Sequence, residues 1–174
     1  MSDSVKAEMI QLLPRLRAFA RGLTRSWEQA DDLVQQTCEK ALRNSGSFQP
    51  GTRMDAWMFR IMRNAWIDVV RARRETEELD IAGDDPALAG EDGRRTIEAR
   101  LHLAAVRRAI DTLPEEQRSI LLLVCIEGMR YREVAAALDI PEGTVMSRLA
   151  RARLALGRIL DAPQAGTDHK GHTA

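Results

Sequence analysis

The stretch that decides the fold runs from Arg132 to Leu149 and reads Arg-Glu-Val-Ala-Ala-Ala-Leu-Asp-Ile-Pro-Glu-Gly-Thr-Val-Met-Ser-Arg-Leu. Its spacing is that of two helices joined by a tight turn, the helix-turn-helix arrangement that lays its second helix in a DNA groove. Ala135 falls where the two helices cross closely and a small side chain is needed. Asp139 falls at the turn, where a left-handed backbone is expected. Glycine is the common residue there, and Asp tolerates the region better than most. Ile140 is placed to plug the core under the turn, and Val145 to anchor the second helix.

That second helix, about Glu142 to Leu160, divides by face. Val145, Leu149, Ala152 and Leu156 form the stripe expected to be buried. Thr144, Ser147, Arg148, Arg151 and Arg158 occupy the other side, and Thr144 to Leu160 holds four arginines and no acid. Short polar groups and Arg are suited to base edges and phosphates. The helix N-terminal amides add a favourable phosphate site. A lone basic helix would read as an ordinary solvated surface. The short preceding helix (Tyr131 to Leu138), the turn, the small crossing residue and the acid-free face together favour DNA binding.

Working towards the N-terminus, Pro114 opens a helix that Gly128 closes after Leu121, Leu122, Val124 and Cys125. A further helix is expected from about Thr96 to Asp111. Residues 75–95 lack periodicity and combine Glu75, Glu77, Glu78, Asp80, Asp84, Asp85, Glu91 and Asp92 with Gly83, Pro86, Gly90 and Gly93. This is the composition of a flexible acidic linker. Upstream, a helix is expected from about Met54 to Arg74. With Trp57 at zero and about 100° per residue, Met58, Ile61, Met62, Ala65 and Val69 fall between about 40° and 140°. Arg60, Arg63, Asn64, Arg71 and Arg74 fall between about 240° and 340° on the same wheel. One face is core and the opposite face a basic stripe, with Trp57 on the boundary and Trp66 away from the core stripe.

Ser26 followed by Gln29 reads as a capping box. It opens a helix carrying Ala30, Leu33, Val34, Thr37, Cys38, Ala41 and Leu42 at helical spacing, which Asn44-Ser45-Gly46 ends. Phe48 to Thr52 is a loop. The first helical stretch, Ser4 to Thr24, contains Pro14, which is expected to split it into a short and a longer helix. Strand signals are nearly absent, so the fold is expected to be all-α: two small helical domains, 1–74 and 99–161, joined by the acidic linker 75–98. The polar tail 162–174 is expected to be disordered.

The chain's 26 Lys+Arg and 26 Asp+Glu give a net charge of zero. That average hides blocks of +5 over residues 1–74, −7 over 75–98 and +2 over 99–174. A hydrophobic content of 44% is enough for a packed core. No run approaches the ~20 apolar residues of a membrane span, and the start lacks a signal-peptide pattern. Cys38 and Cys125 sit in apolar helical patterns and are expected to be buried reduced thiols. A cytoplasmic location follows. His169 and His172 have no third ligand nearby, so no metal site is expected. No phosphate-binding glycine loop or nucleophile–base pair is present, so neither a cofactor nor an enzymatic activity is expected.

The sequence resembles the extracytoplasmic-function (ECF) group of bacterial RNA polymerase sigma factors from about Leu12 to Leu160. Three stretches carry the resemblance. They are Ala30-Asp31-Asp32-Leu33-Val34-Gln35-Gln36-Thr37; Trp57-Met58-Phe59-Arg60-Ile61-Met62-Arg63-Asn64 with Asp68 and Arg71 to Arg74; and Leu113-Pro114-Glu115-Glu116-Gln117-Arg118 leading into the helix-turn-helix.

The resemblance implies a two-domain initiation factor that binds core RNA polymerase, reads the −10 and −35 promoter elements and helps melt the duplex. Asp31, Asp32, Gln35, Gln36 and Glu39 match the surface that docks on the clamp helices of the polymerase largest subunit. Arg60, Arg63, Asn64, Arg71 and Arg74 match the −10 reader. The loop Phe48 to Asp55 matches the loop that receives a flipped base, with Phe48 and Trp57 as candidate walls; for each, the alternative is the core. Glu142, Thr144, Ser147, Arg148 and Arg151 would read the −35 element, and the C-terminal domain would bind the polymerase flap. Glu142 either caps its helix or accepts from a cytosine amino group. The expected partners are polymerase, promoter DNA and an anti-sigma factor controlling a stress response, with no membrane and a monomer outside the complex. Two rivals are a decoy that titrates an anti-sigma factor and a simple helix-turn-helix repressor. The lack of a receiver domain before Leu12 and the two intact basic faces speak against the first. The N-terminal domain speaks against the second.

Overall fold

A computed structural model describes residues 3–24, 26–49, 51–75 and 94–161, with side chains over 5–24, 26–49, 51–73 and 101–161. Among them the regular elements are all helical: α1 Asp3–Leu23, α2 Trp27–Arg43, a 3-10 turn Ser45–Ser47, α3 Met54–Glu75, α4 Arg94–Asp111, α5 Glu115–Cys125, α6 Tyr131–Leu138 and α7 Glu142–Leu160. The greater part of the expected linker and the whole expected tail lie outside the described residues.

Local chemistry sets most boundaries. Ser26 accepts from the Gln29 amide at 3.1 Å and starts α2. The return bond of the expected capping box is missing, because Gln29 Oε1 is buried without a partner. Gly128, at φ +65°, reverses the chain after α5, and the Met129 amide then bonds the Leu123 carbonyl at 3.0 Å. Glu133 accepts from the Arg130 amide at 2.8 Å and fixes the start of α6.

α1, α2 and α3 pack on one another; α5, α6 and α7 form a second group, with α4 on α7. The groups are not separate. α1 lies against α5 and α3 against α6, and one continuous apolar core runs through both. Phe19 and Phe59 meet edge to face at 5.1 Å at its N-terminal end, and Ile120, Leu123, Val134, Val145 and Leu149 fill the other.

Three expectations are corrected. First, α1 passes through Pro14 without a break. The proline deprives the Ile10 carbonyl of its donor, but Ile10 is exposed, so water can reach that carbonyl. Leu16, Phe19, Ala20 and Leu23 are buried beyond it and hold the helix together. Second, α3 buries a wider stripe than the wheel places in the core. Trp66 and Phe59 are both buried, because α3 is covered by C-terminal helices as well as by α1 and α2. Third, Cys125 is exposed and Cys38 only half-buried. Cys125 is the last residue of α5, where the chain turns outward. Burial still pushes the Cys38 thiol up from its ordinary value, against the lowering influence of Arg17.

The helix-turn-helix forms as expected. Asp139 is left-handed at φ 54° and ψ 51°, Ala135 and Val145 are buried, and Ile140 packs partly buried against the core. Asp139→Gly should stabilise the chain by about 0.5–1 kcal/mol, since glycine removes a left-handed penalty slightly larger than its own entropic cost. The check is the shift in thermal midpoint.

Candidate nucleic-acid and polymerase interface

Three helix faces carry the site residues. On α2, packing of Ala30, Leu33, Val34, Thr37 and Ala41 into the core turns Asp31, Asp32, Gln35, Gln36 and Glu39 outward, and all five are exposed. Only weak local contacts tie them. Gln35 donates to Glu39 at 3.2 Å, Arg43 to Glu39 at 3.4 Å, and Arg17 lies 3.9 Å from Asp31. Such pairs in water are worth about 0–1 kcal/mol, so the acidic face is available to a partner. Trp27 continues it, half exposed, with the Arg21 guanidinium 4.0 Å over its ring.

On α3, Arg60, Asn64 and Arg71 are exposed, as a phosphate track requires. Arg63 is not. It is half-buried beside Glu116 and Glu115 of α5, and burial lowers its pKa against the pull of those carboxylates. Arg74 is helical, but its side chain lies outside the described residues. Trp57 is only 8% exposed, and Phe48 packs on it with ring centroids 5.2 Å apart. In this arrangement both expected walls are filled by each other.

On α7, Val145, Leu149 and Ala152 are buried and Leu156 partly so. Glu142, Ser147 and Arg151 are exposed, and Thr144 is intermediate. Arg151 makes only local bonds, from Nε to the Ser147 carbonyl at 3.3 Å and from Nη2 to the Ser147 hydroxyl at 3.4 Å. Arg148 is held differently, with Nη2 2.6 Å from Glu116. Sequence reasoning misses Met146, which is 53% exposed beside Ser147 on the same open face. Its helical position is the available signal. Arg158 is exposed further along α7.

Sequence reasoning also misses the ionic contacts between the two helix groups. Arg15 of α1 donates to Glu127 at 2.8 Å and to Asp55 at 3.1 Å. Arg53 pairs with Asp55 at 2.7 Å and with Glu133 of α6. Burial works to raise the Asp55 carboxyl, but hydrogen bonds from Arg53, the Ala56 amide and Arg15 outweigh it and hold the group below its ordinary range. Glu115 behaves oppositely. Burial raises it, despite the lowering influence of the Arg118 charge and of the hydrogen bond from Ser119.

The chain matches sigma-70 region 2 over residues 9–76 and sigma-70, region 4 over residues 103–156. It is 39% identical over 161 residues to the ECF RNA polymerase sigma factor EcfG of Rhodopseudomonas palustris, covering 92% of this chain and 87% of that one. The chain belongs to the ECF sigma factors. SigM of Mycobacterium tuberculosis, another ECF sigma factor, is 34% identical over 146 residues, covering 84% of this chain and 71% of that one. Among solved structures, the sigma factor RpoE in complex with the anti-sigma factor NepR from Bartonella quintana superposes with a TM-score of 0.76 at 32% identity, covering 94% of this chain and 100% of that one. CnrH in complex with the cytosolic domain of CnrY gives 0.66 at 30%, covering 91% and 90%. Within this ECF sigma factor, no described helix is long and apolar enough to cross a membrane.

The acidic α2 face yields a direct expectation. Charge reversal at Asp31 and Asp32 together should abolish most core-polymerase association while moving stability by no more than about 0.5 kcal/mol, because both are exposed. Native-gel or fluorescence titration against core polymerase, beside a thermal melt, measures both. Undiminished association would remove this face from the interface.

Proposed function

We propose that this sigma factor directs initiation by docking α2 on the clamp helices of core polymerase, tracking the −10 non-template strand with α3 and placing α7 in the −35 major groove. The observation that carries this reading is the open face of α7. A helix whose anchors are buried presents Ser147, Arg151 and Met146 to solvent, directly after a left-handed helix-turn-helix corner. Ser147 and Arg151 offer hydrogen bonds to base edges, and Met146 offers apolar contact to a thymine methyl. Arg60, Asn64 and Arg71 supply backbone contacts along the melted strand. The bond-making chemistry belongs to the polymerase, so the chain itself is no enzyme, and its place is the cytoplasm. It acts as a monomer outside its complexes, with residues 1–74 and 99–161 as its functional units.

Control by an anti-sigma factor is part of the proposal. One relative of the same fold was solved with the anti-sigma factor NepR, and another with the cytosolic domain of CnrY. A decoy that titrates an anti-sigma factor is the alternative, and it would not support transcription. Run-off transcription with core polymerase over a promoter library separates the two. The expected result is a transcript dependent on one −10 and one −35 sequence. Absence of any transcript with an active core overturns the proposal.

A further inference from the structure

The open face of α7 carries no acid in sequence from Thr144 to Leu160, yet folding brings one to it. Glu116, in the first turn of α5, places Oε2 2.6 Å from Nη2 of Arg148. α5 and α7 pack directly on each other, and Ile120, Leu123, Val145 and Leu149 are buried. The pair is therefore internal to one helix group and does not depend on where α1, α2 and α3 stand.

Arg148 borders the residues that face the groove. It follows Thr144 by four positions and precedes Arg151 by three, the spacings that make side chains neighbours on a helix surface. The two arginines differ in what they hold. Arg151 bonds only Ser147, at 3.3 and 3.4 Å, whereas Arg148 holds an anion. A carboxylate offers a guanidinium the same charge-assisted hydrogen bonds that a phosphate does. The Glu116 side chain is 55% exposed and that of Arg148 21%. Water screens such a pair, so it exchanges readily for another anion.

We propose that Glu116 sets the affinity of this factor for DNA: it competes with phosphate for Arg148 and so weakens the hold of α7 on any duplex, whatever its sequence. The proposal rests on the assignment of α7 to the −35 duplex. While the pair stands, Arg148 displaces no counterion from DNA, and binding is one phosphate contact short. Ser147, Met146 and Arg151 keep their access to base edges. The contact given up is the kind that carries no sequence information. Non-promoter duplex is in large excess in a genome, so weakening that contact favours release from wrong sites.

The test uses holoenzyme assembled from core polymerase and the full chain. It compares wild type, Glu116→Gln, Arg148→Gln, the double substitution and, as a reference for α7, Arg151→Ala. A thermal melt checks that each chain is folded. Fluorescence titration reads affinity for duplexes with a matched or a scrambled −35 element at several salt concentrations. The expected result is that Glu116→Gln tightens both duplexes alike by about two- to fivefold, the size of one partly exposed ion pair. The salt slope should steepen by about one unit. Both gains should vanish beside Arg148→Gln. Weaker binding by Glu116→Gln overturns competition, since the carboxylate would then be holding Arg148 in place for DNA. A gain that persists beside Arg148→Gln also overturns it, because the carboxylate would then act on phosphates directly. No change with Glu116→Gln, while Arg151→Ala weakens the matched duplex, overturns the proposal and leaves the assignment of α7 standing. No change with either overturns that assignment, and the proposal with it.

Discussion

Arg118→Met should cost the protein about 3–5 kcal/mol of stability, the largest loss expected from any single polar side chain described above. Arg118 is 6% exposed, and its guanidinium donates to three carbonyls: Leu23 at 3.0 Å, Asp111 at 2.6 Å and Leu113 at 3.2 Å. Glu115 lies 3.9 Å away and balances part of its charge. Methionine fills most of the same volume, so the cavity contribution is small. Replacing a buried ion pair by apolar residues is often neutral, because both partners leave together. Here only the donor leaves. The three backbone carbonyls and the Glu115 carboxylate stay, and each unsatisfied buried acceptor costs about 1–3 kcal/mol. A shift in denaturant midpoint at unchanged slope reads the loss directly. An unshifted midpoint would show that water replaces the guanidinium. Arg118→Lys should recover only part of the stability, since one ammonium cannot reproduce the forked geometry.

What is legible in the sequence follows from how far apart the cooperating residues lie. The helix-turn-helix depends on contacts a few residues apart, and its elements fall on the expected residues: Tyr131–Leu138, the left-handed Asp139, then Glu142–Leu160. The α2 face is legible for the same reason, because a single amphipathic helix decides which side faces water. The meeting of the two helix groups is not. Arg15 and Glu127 are 112 residues apart, and Arg118 and Leu23 are 95 apart. No local period records such pairs. Trp66 shows the consequence. The α3 wheel puts it off the stripe that meets α1 and α2, yet a second layer of helices arrives on that side and buries it. Arg63 and Arg148 look like open DNA contacts in sequence because a wheel shows which way a side chain points and not what stands in front of it.

Arg151→Ala should weaken −35-dependent initiation by about 1–3 kcal/mol, or roughly 5- to 150-fold, while leaving stability within about 0.5 kcal/mol. The expectation rests on the contrast with Arg148. Arg148 has a carboxylate at 2.6 Å and must give it up before meeting DNA, whereas Arg151 holds only Ser147, at 3.3 and 3.4 Å, and loses little on release. Exposure at the middle of α7 puts its guanidinium where the N-terminal half of a recognition helix meets base edges. Two kinds of contact are separable by the pattern of loss. If Arg151 pairs with a guanine, the defect concentrates on promoters carrying that base, and discrimination at one −35 position relaxes. If it meets a phosphate, all promoters weaken alike and the salt slope falls by about one unit. Run-off transcription over single-base −35 variants at two salt concentrations distinguishes these patterns. Wild-type transcript levels throughout would move the reading function to Ser147 and its exposed neighbour Met146.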